Sequence, residues 1–174
     1  MNLLEKPSMR RRDEFLAAVK RSKKLHTPWT YPPATPEAFD ASLKRWRKKN
    51  HLAYWVCTEE GEIAGAINIS EIVMGGFCSA YLGYYAFSPH DGRGYMKRGL
   101  RAVLSEVFSE HQLHRVEANI QPENFASRGL VKNIGFRLEG FSPRYLKIGG
   151  RWRDHERWAI TVEEWRVLER GVRP

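Results

Sequence analysis

His90-Asp91-Gly92-Arg93-Gly94-Tyr95-Met96 stands between a long apolar run and a helical stripe, and it is the stretch best equipped for chemistry. Two glycines let the backbone curl so that its N–H groups converge. The helix start adds N–H groups without intrahelical partners and a partial positive charge. Such a corner binds anions and suits a pyrophosphate. Arg93, Lys97 and Arg98 would add charge beside it. The spacing is neither the GxxxxGK[ST] of a P-loop nor GxGxxG. A glycine-rich turn that binds nothing is the competing reading of a bare Gly-x-Gly.

The elements that must hold this loop follow from periodicity. Phe15, Leu16 and Val19 predict a helix over residues 8–20 with Ser8 as its cap. Four prolines make residues 26–36 a stiff loop carrying Trp29 and Tyr31. Thr35 and Pro36 open a second helix with Phe39, Leu43 and Trp46 inward. Leu52–Thr58 reads as a strand buried on both faces, and a turn at Glu59–Glu62 leads into Ile63–Val73. After Gly75-Gly76 comes Phe77–Phe87, a candidate central strand in which Gly83 marks a bulge or a close backbone approach. Met96, Leu100, Val103, Leu104 and Val107 predict a helix from Tyr95 to about Glu110.

Arg115–Gln121 alternates, with Val116, Ala118 and Ile120 on one face and Glu117, Asn119 and Gln121 on the other. A helix follows over residues 124–133, with Gly135 as its stop. Phe136–Ile148 and Arg151–Thr161 flank a Gly149-Gly150 hairpin turn, and a short helix spans Val162–Arg170. Hairpins around a strand–helix–strand unit argue for a mixed sheet with helices on its faces. The length of 174 residues suits one domain over 1–174.

Composition narrows the class. Apolar residues at 42% and aromatics at 12% exclude wholesale disorder. No apolar run reaches the roughly 18 residues of a membrane span, and the first residues lack a signal-peptide stretch. Cys57 and Cys78 make neither a disulfide framework nor a zinc site, so reduced thiols and a cytoplasmic location are expected. No HxxxH or HExxH pair supports a metal. The net charge of +9 suits a phosphate-rich partner. Its clusters at Arg10–Arg12, Lys20–Lys24 and Lys44–Lys49 are either solvated helix faces or weak attractors of RNA.

Several motifs in order resemble one family. Gly92-Arg93-Gly94 before an apolar helix is similar to the acetyl-CoA loop of the GNAT superfamily of N-acetyltransferases. Leu82-Gly83-Tyr84, Asn124-Phe-Ala-Ser127, Asn133-Ile-Gly-Phe136-Arg-Leu-Glu-Gly140 and Arg144–His155 resemble its RimJ/RimL branch, the ribosomal-protein-alanine N-acetyltransferases. The resemblance covers roughly residues 8–165. Asp91 departs from the Gln or Arg that opens the family's loop, Met96 from its final small residue. Val131 replaces the Tyr that many relatives carry seven residues after the Asn, which excludes a Tyr general acid there.

The resemblance implies an α+β fold, a mixed and mostly antiparallel sheet flanked by helices on both faces. It implies acetyl-CoA, with its pyrophosphate on the backbone of Gly92, Arg93, Gly94, Tyr95, Met96 and Lys97. Its pantetheine arm would lie beside Tyr84, Tyr85, Ala86 and Phe87 like an added strand. Asn124 would contact the arm or cap its helix. Ser127 would meet the leaving thiolate. An α-amine of pKa about 8 is about one-tenth neutral at pH 7, so a weak base suffices. Glu117 is the candidate base, with Asn119 to orient a water; an exposed carboxylate paired to an Arg is the competing reading. Trp29, Tyr31, Tyr145 and His155 would wall the acceptor. The acceptor is an amine, with a ribosomal protein N-terminus leading. A small amine, or acyl-CoA binding without transfer, are the alternatives. No membrane association is expected, and the chain would act as monomer or homodimer.

Overall fold

Alternation along Leu52–Cys57 sets the two faces of the sheet. Tyr54 and Val56 enter one apolar cluster, while Ala53, Trp55 and Cys57 enter the other. The structure, a computed structural model, describes residues 2–171. Its strands are β1 (Leu4–Glu5), β2 (Leu52–Cys57), β3 (Ile63–Val73), β4 (Ser79–Ala86), β5 (Arg115–Ile120), β6 (Arg137–Ile148) and β7 (Arg151–Thr161). Its helices are α1 (Arg12–Arg21), α2 (Lys23–His26), α3 (Pro36–Trp46), α4 (Tyr95–Ser109), α5 (Phe125–Ile134) and α6 (Val162–Glu169). The strands join in one sheet of order β1-β2-β3-β4-β5-β7-β6. The β4–β5 pair is parallel and the other neighbours are antiparallel. The expected mixed, mostly antiparallel sheet with helices on both faces is what forms.

One face is covered by α4, α5 and α6. The α4 stripe of Met96, Leu100, Val103, Leu104, Val107 and Phe108 packs with Tyr54, Val56 and Ile67 of β2 and β3, and Trp165 of α6 joins it. The other face is covered by α1 and α3. Phe15, Phe39, Trp46 and Trp55 form an aromatic group there, with Phe15 stacked on Trp55 at 5.6 Å and edge-on to Phe87 at 5.5 Å.

The feature that matters for function is where the central ladder stops. β4 and β5 pair from Ser79–Arg115 to Leu82–Ala118 and no further. Yet β4 stays on β3 up to Gly65–Ala86, and β5 stays on β7 up to Ile120–Glu156. Each strand follows its outer neighbour, and the sheet opens between them.

Several elements differ from the sequence-based expectation. Ser8 makes no side-chain cap; a 3-10 turn at Met9–Arg11 precedes α1. β4 begins at Ser79 rather than Phe77, because Cys78 takes a positive φ of 44° and Phe77 stays exposed. Gly83 is no bulge, since its pairing with Asn68 continues the register. The irregularity in this hairpin lies instead between Ser70 and Val73 of β3. Strand β1 and helix α2, two and four residues long, are too short to show a period.

Close approach of α4 to the sheet gives a stability test. A Cβ on Gly99 would lie 2.5 Å from Val56 Cγ2 and 3.3 Å from Ile67 Cδ1. Gly99→Val should therefore destabilise the fold by about 1–3 kcal/mol through overpacking. Urea unfolding measures it; an unchanged midpoint and slope would count against this packing.

Candidate active site

The antiparallel register decides which backbone groups face the opening. Phe87 N donates to Ala64 O at 2.8 Å, so Phe87, Tyr85 and Gly83 turn their amides toward β3. Tyr84 and Ala86 then turn theirs toward β5, past the end of the β4–β5 ladder. This internal sheet edge can accept an added strand. It borders a cleft of about 1090 Å³ whose walls include Tyr84–Ala86, Asn124, Ser127 and Leu130.

Below the opening the chain curls into the glycine loop. Gly92 and Gly94 have φ of 73° and 81°, and nothing lies within 4 Å of where a Cβ would stand. Glycine is needed here for the left-handed backbone rather than for space. Gly94 precedes α4, whose first helical bond is Arg98 N to Gly94 O at 3.1 Å. The N–H groups of Tyr95, Met96 and Lys97 therefore lack intrahelical partners, and the first turn holds no acidic residue to neutralise them.

Side chains brace this loop from outside. Asp91 Oδ1 accepts from Ser88 Oγ at 3.0 Å, which gives the departing residue a role inside the turn. Glu59 accepts from Tyr95 OH at 2.7 Å and from Arg98 at 2.9 Å. Arg98 is thus spent on Glu59, and Arg93 and Lys97 remain exposed at the rim.

On the α5 side of the cleft, Asn124 Oδ1 accepts from Ser127 N at 3.2 Å and caps the helix. Tyr84 OH lies 2.6 Å from Ser127 Oγ, where either hydroxyl can be the donor, and 3.2 Å from Ser127 O, and its one proton serves one of the two. Burial pushes the Tyr84 phenol well above its ordinary value, and the Ser127 hydrogen bond offsets this only in part. Tyr84 therefore stays a protonated donor. That partnership joins strand to helix across the opening, and periodicity offered no sign of it.

The same cleft is also lined by Trp29, Asn119, Tyr145 and His155, four residues that the sequence singled out. His26, Ser70, Glu71 and Tyr81 also line it and were missed. Glu71 projects from the β3 irregularity with a φ of 52°. His155 stacks edge-on to Tyr145 at 6.3 Å, and burial lowers its affinity for a proton. Asn119 Oδ1 is buried without a partner among the described residues.

Four expected site residues sit elsewhere. Phe87 belongs to the α1/α3 core, and both its backbone groups are used, by Ala64 O and by His90 N. Tyr31 is exposed with its ring against Gly149 at the β6–β7 turn, outside the cleft walls. Arg93 contributes to the loop but not to the walls. Glu117 lies on the predicted polar face, but Arg115 Nη2 donates to its carboxylate at 2.8 Å and also binds Glu139. It too lies outside the cleft walls.

Comparison with known proteins agrees with this geometry. Residues 3–137 match the acetyltransferase (GNAT) domain model. The ribosomal protein uS5-alanine N-acetyltransferase of Escherichia coli is 38% identical over 107 residues, 62% of this chain and 55% of that protein. The chain thus spans little more than half the length of that curated relative. The structure of Mycobacterium smegmatis RimJ in complex with CoA-disulfide superposes with a TM-score of 0.86 at 29% identity, over 97% of this chain and 88% of that one. The Vibrio cholerae spermidine N-acetyltransferase with CoA and spermine shares the fold at a TM-score of 0.79 and 17% identity, over 93% of each chain.

The loop yields a direct test. Gly94→Asp adds a Cβ to a left-handed residue and a negative charge to the anion corner. Calorimetry should show CoA affinity falling at least about tenfold, with the fold retained. Parental affinity would remove the loop from cofactor binding.

Proposed function

The chain belongs to the GNAT family of acetyltransferases, and on that premise we propose that it transfers an acetyl group from acetyl-CoA to a protein N-terminal α-amine. The observation that carries this is the opening of the sheet after Leu82–Ala118, set directly above a helix N-terminus with unpaired N–H groups. One part takes an extended arm bearing amides, the other a diphosphate. Acetyl-CoA supplies the acetyl group already activated as a thioester.

The arm would bond the cleft-facing groups of Tyr84 and Ala86, and its diphosphate the N–H groups from Gly92 to Lys97. If the single Tyr84 phenol proton goes to Ser127 Oγ, the serine hydroxyl proton is free to turn into the cleft. There it can receive a departing thiolate, a fair leaving group because a thiol pKa is near 8.5. Trp29, Asn119, Tyr145 and His155 form the acceptor wall. Asn119 Oδ1 has no partner among the described residues and would hold the incoming amine or its water. Glu117 would take the proton through water, since Arg115 holds it away from the cleft.

A protein N-terminus fits the acceptor side better than a polyamine. Among the described residues lining the cleft, the carboxylates are Glu71 and Asp91, and Asp91 belongs to the glycine loop. A polycation calls for several such groups. The relative of ribosomal-protein-alanine type favours an alanine amine on a ribosomal protein. The exposed lysines of α1, α2 and α3 would then meet ribosomal RNA, an attraction that weakens with salt.

Mass spectrometry of a panel of peptides and small amines incubated with acetyl-CoA tests the reading. One acetyl group should appear on alanine-starting peptides and not on spermidine; the reverse pattern would overturn the assignment. Ser127→Ala should lower kcat about tenfold, the worth of roughly one hydrogen bond, with CoA affinity unchanged in calorimetry. Full turnover would exclude Ser127 from the chemistry.

A further inference from the structure

Residues 21–29 tie the two sides of the sheet opening together. On the β4 side, Ser88 N donates to Ser22 Oγ at 2.9 Å and Arg21 Nε donates to Ser88 O at 3.1 Å. His26 Nε2 lies 2.8 Å from Ala86 O. On the β5 side, Gln121 Nε2 donates to Trp29 O at 3.3 Å. Trp29 N closes the segment on His26 O at 2.7 Å. The stretch that carries the acceptor wall thus also clasps the strand end leading into the glycine loop.

His26 is the residue of this clasp that packing does not explain. It is 4% exposed, and its ring meets Tyr85 and Phe87 edge-on at 5.4 and 5.7 Å. A leucine would fill that space. Its Nδ1 is buried with no partner among the described residues, which is destabilising. What the imidazole adds is one donor. A carbonyl only accepts, so Nε2 carries the proton and the tautomer is set. Burial also disfavours the charged ring.

The acceptor it engages belongs to the slot. Ala86 and Tyr84 are the residues whose backbone groups face the opening. His26 takes one of the two lone pairs of Ala86 O and so competes there with an added strand, which meets Tyr84 N–H, Tyr84 C=O and Ala86 N–H without such a competitor. An arm bearing amides then finds Tyr84 C=O the stronger acceptor for its N–H, which favours one register along β4.

We propose that His26 is a positioning residue, which engages the Ala86 carbonyl and so biases the register of the CoA arm on β4 while joining it to the acceptor wall. This rests on the reading of the slot as the CoA site.

The test compares His26→Leu, which keeps the bulk, with His26→Gln, which keeps a donor of similar reach. CoA affinity is read by calorimetry, and KM for acetyl-CoA alongside it. The leucine variant should bind CoA about tenfold more weakly, and the glutamine variant should stay within about threefold of the parent. A packing role predicts the opposite order. Parental affinity in the leucine variant, or no gain from glutamine over leucine, overturns the proposal. A second measurement needs no variant. NMR of the isotope-labelled parent should show the Nε2–H tautomer of His26 before and after CoA is added, and the Nδ1–H tautomer overturns the assignment. The order of glutamine above leucine supports it even where the parent acetylates no amine, an outcome that removes only the transfer reading. A parent that binds no CoA overturns both.

Discussion

Everything at this site depends on a pair of parallel strands that stop sharing hydrogen bonds halfway along. β4 and β5 part after Leu82–Ala118, yet neither frays, because β3 holds one and β7 holds the other. Backbone groups left without a partner in a dry interior would be costly. Here they line a cleft of about 1090 Å³, where water or an amide-bearing ligand can meet them. The opening is therefore a sheet edge kept inside the molecule, shielded from pairing with other chains by the elements around it.

Binding and positioning at this site are assigned mostly to the main chain. The anion corner consists of N–H groups at the start of α4, presented by two glycines at positive φ. Of the three basic side chains near it, Arg98 is already bonded to Glu59. Main-chain donors are held by the helix itself and lose little freedom when a ligand arrives, unlike long exposed side chains. The same economy appears across the opening. Tyr84 on β4 reaches Ser127 on α5, and residues 21–29 span the gap beyond the end of the β4–β5 ladder, so strand, helix and loop constrain one another around the opening.

Glu117 shows how far a pattern carries. Alternation in Arg115–Ile120 correctly puts it on the polar face of β5. The same alternation puts Arg115 two residues away on that face, where it binds Glu117 and, from β6, Glu139. The ion pair was therefore visible in principle, since residues two apart on a strand are same-side neighbours. What no pattern along β5 could tell is which part of that face meets the cleft. Asn119 does and Glu117 does not: Arg115 holds the Glu117 carboxylate beside Glu139 of β6.

The chain order alone determined the period-two faces of the strands, the apolar stripe of α4, the glycines that must adopt left-handed backbone and the capping Asn124. All are local, arising from neighbours a few residues apart and from the steric limits of each residue type. Only the tertiary structure decided where the sheet opens, that Tyr84 meets Ser127 from 43 positions away, and that His26 reaches Ala86 over 60. Those depend on strand register and on the packing of distant segments against a common core, and nothing in the local sequence sets the energy of one register against the next.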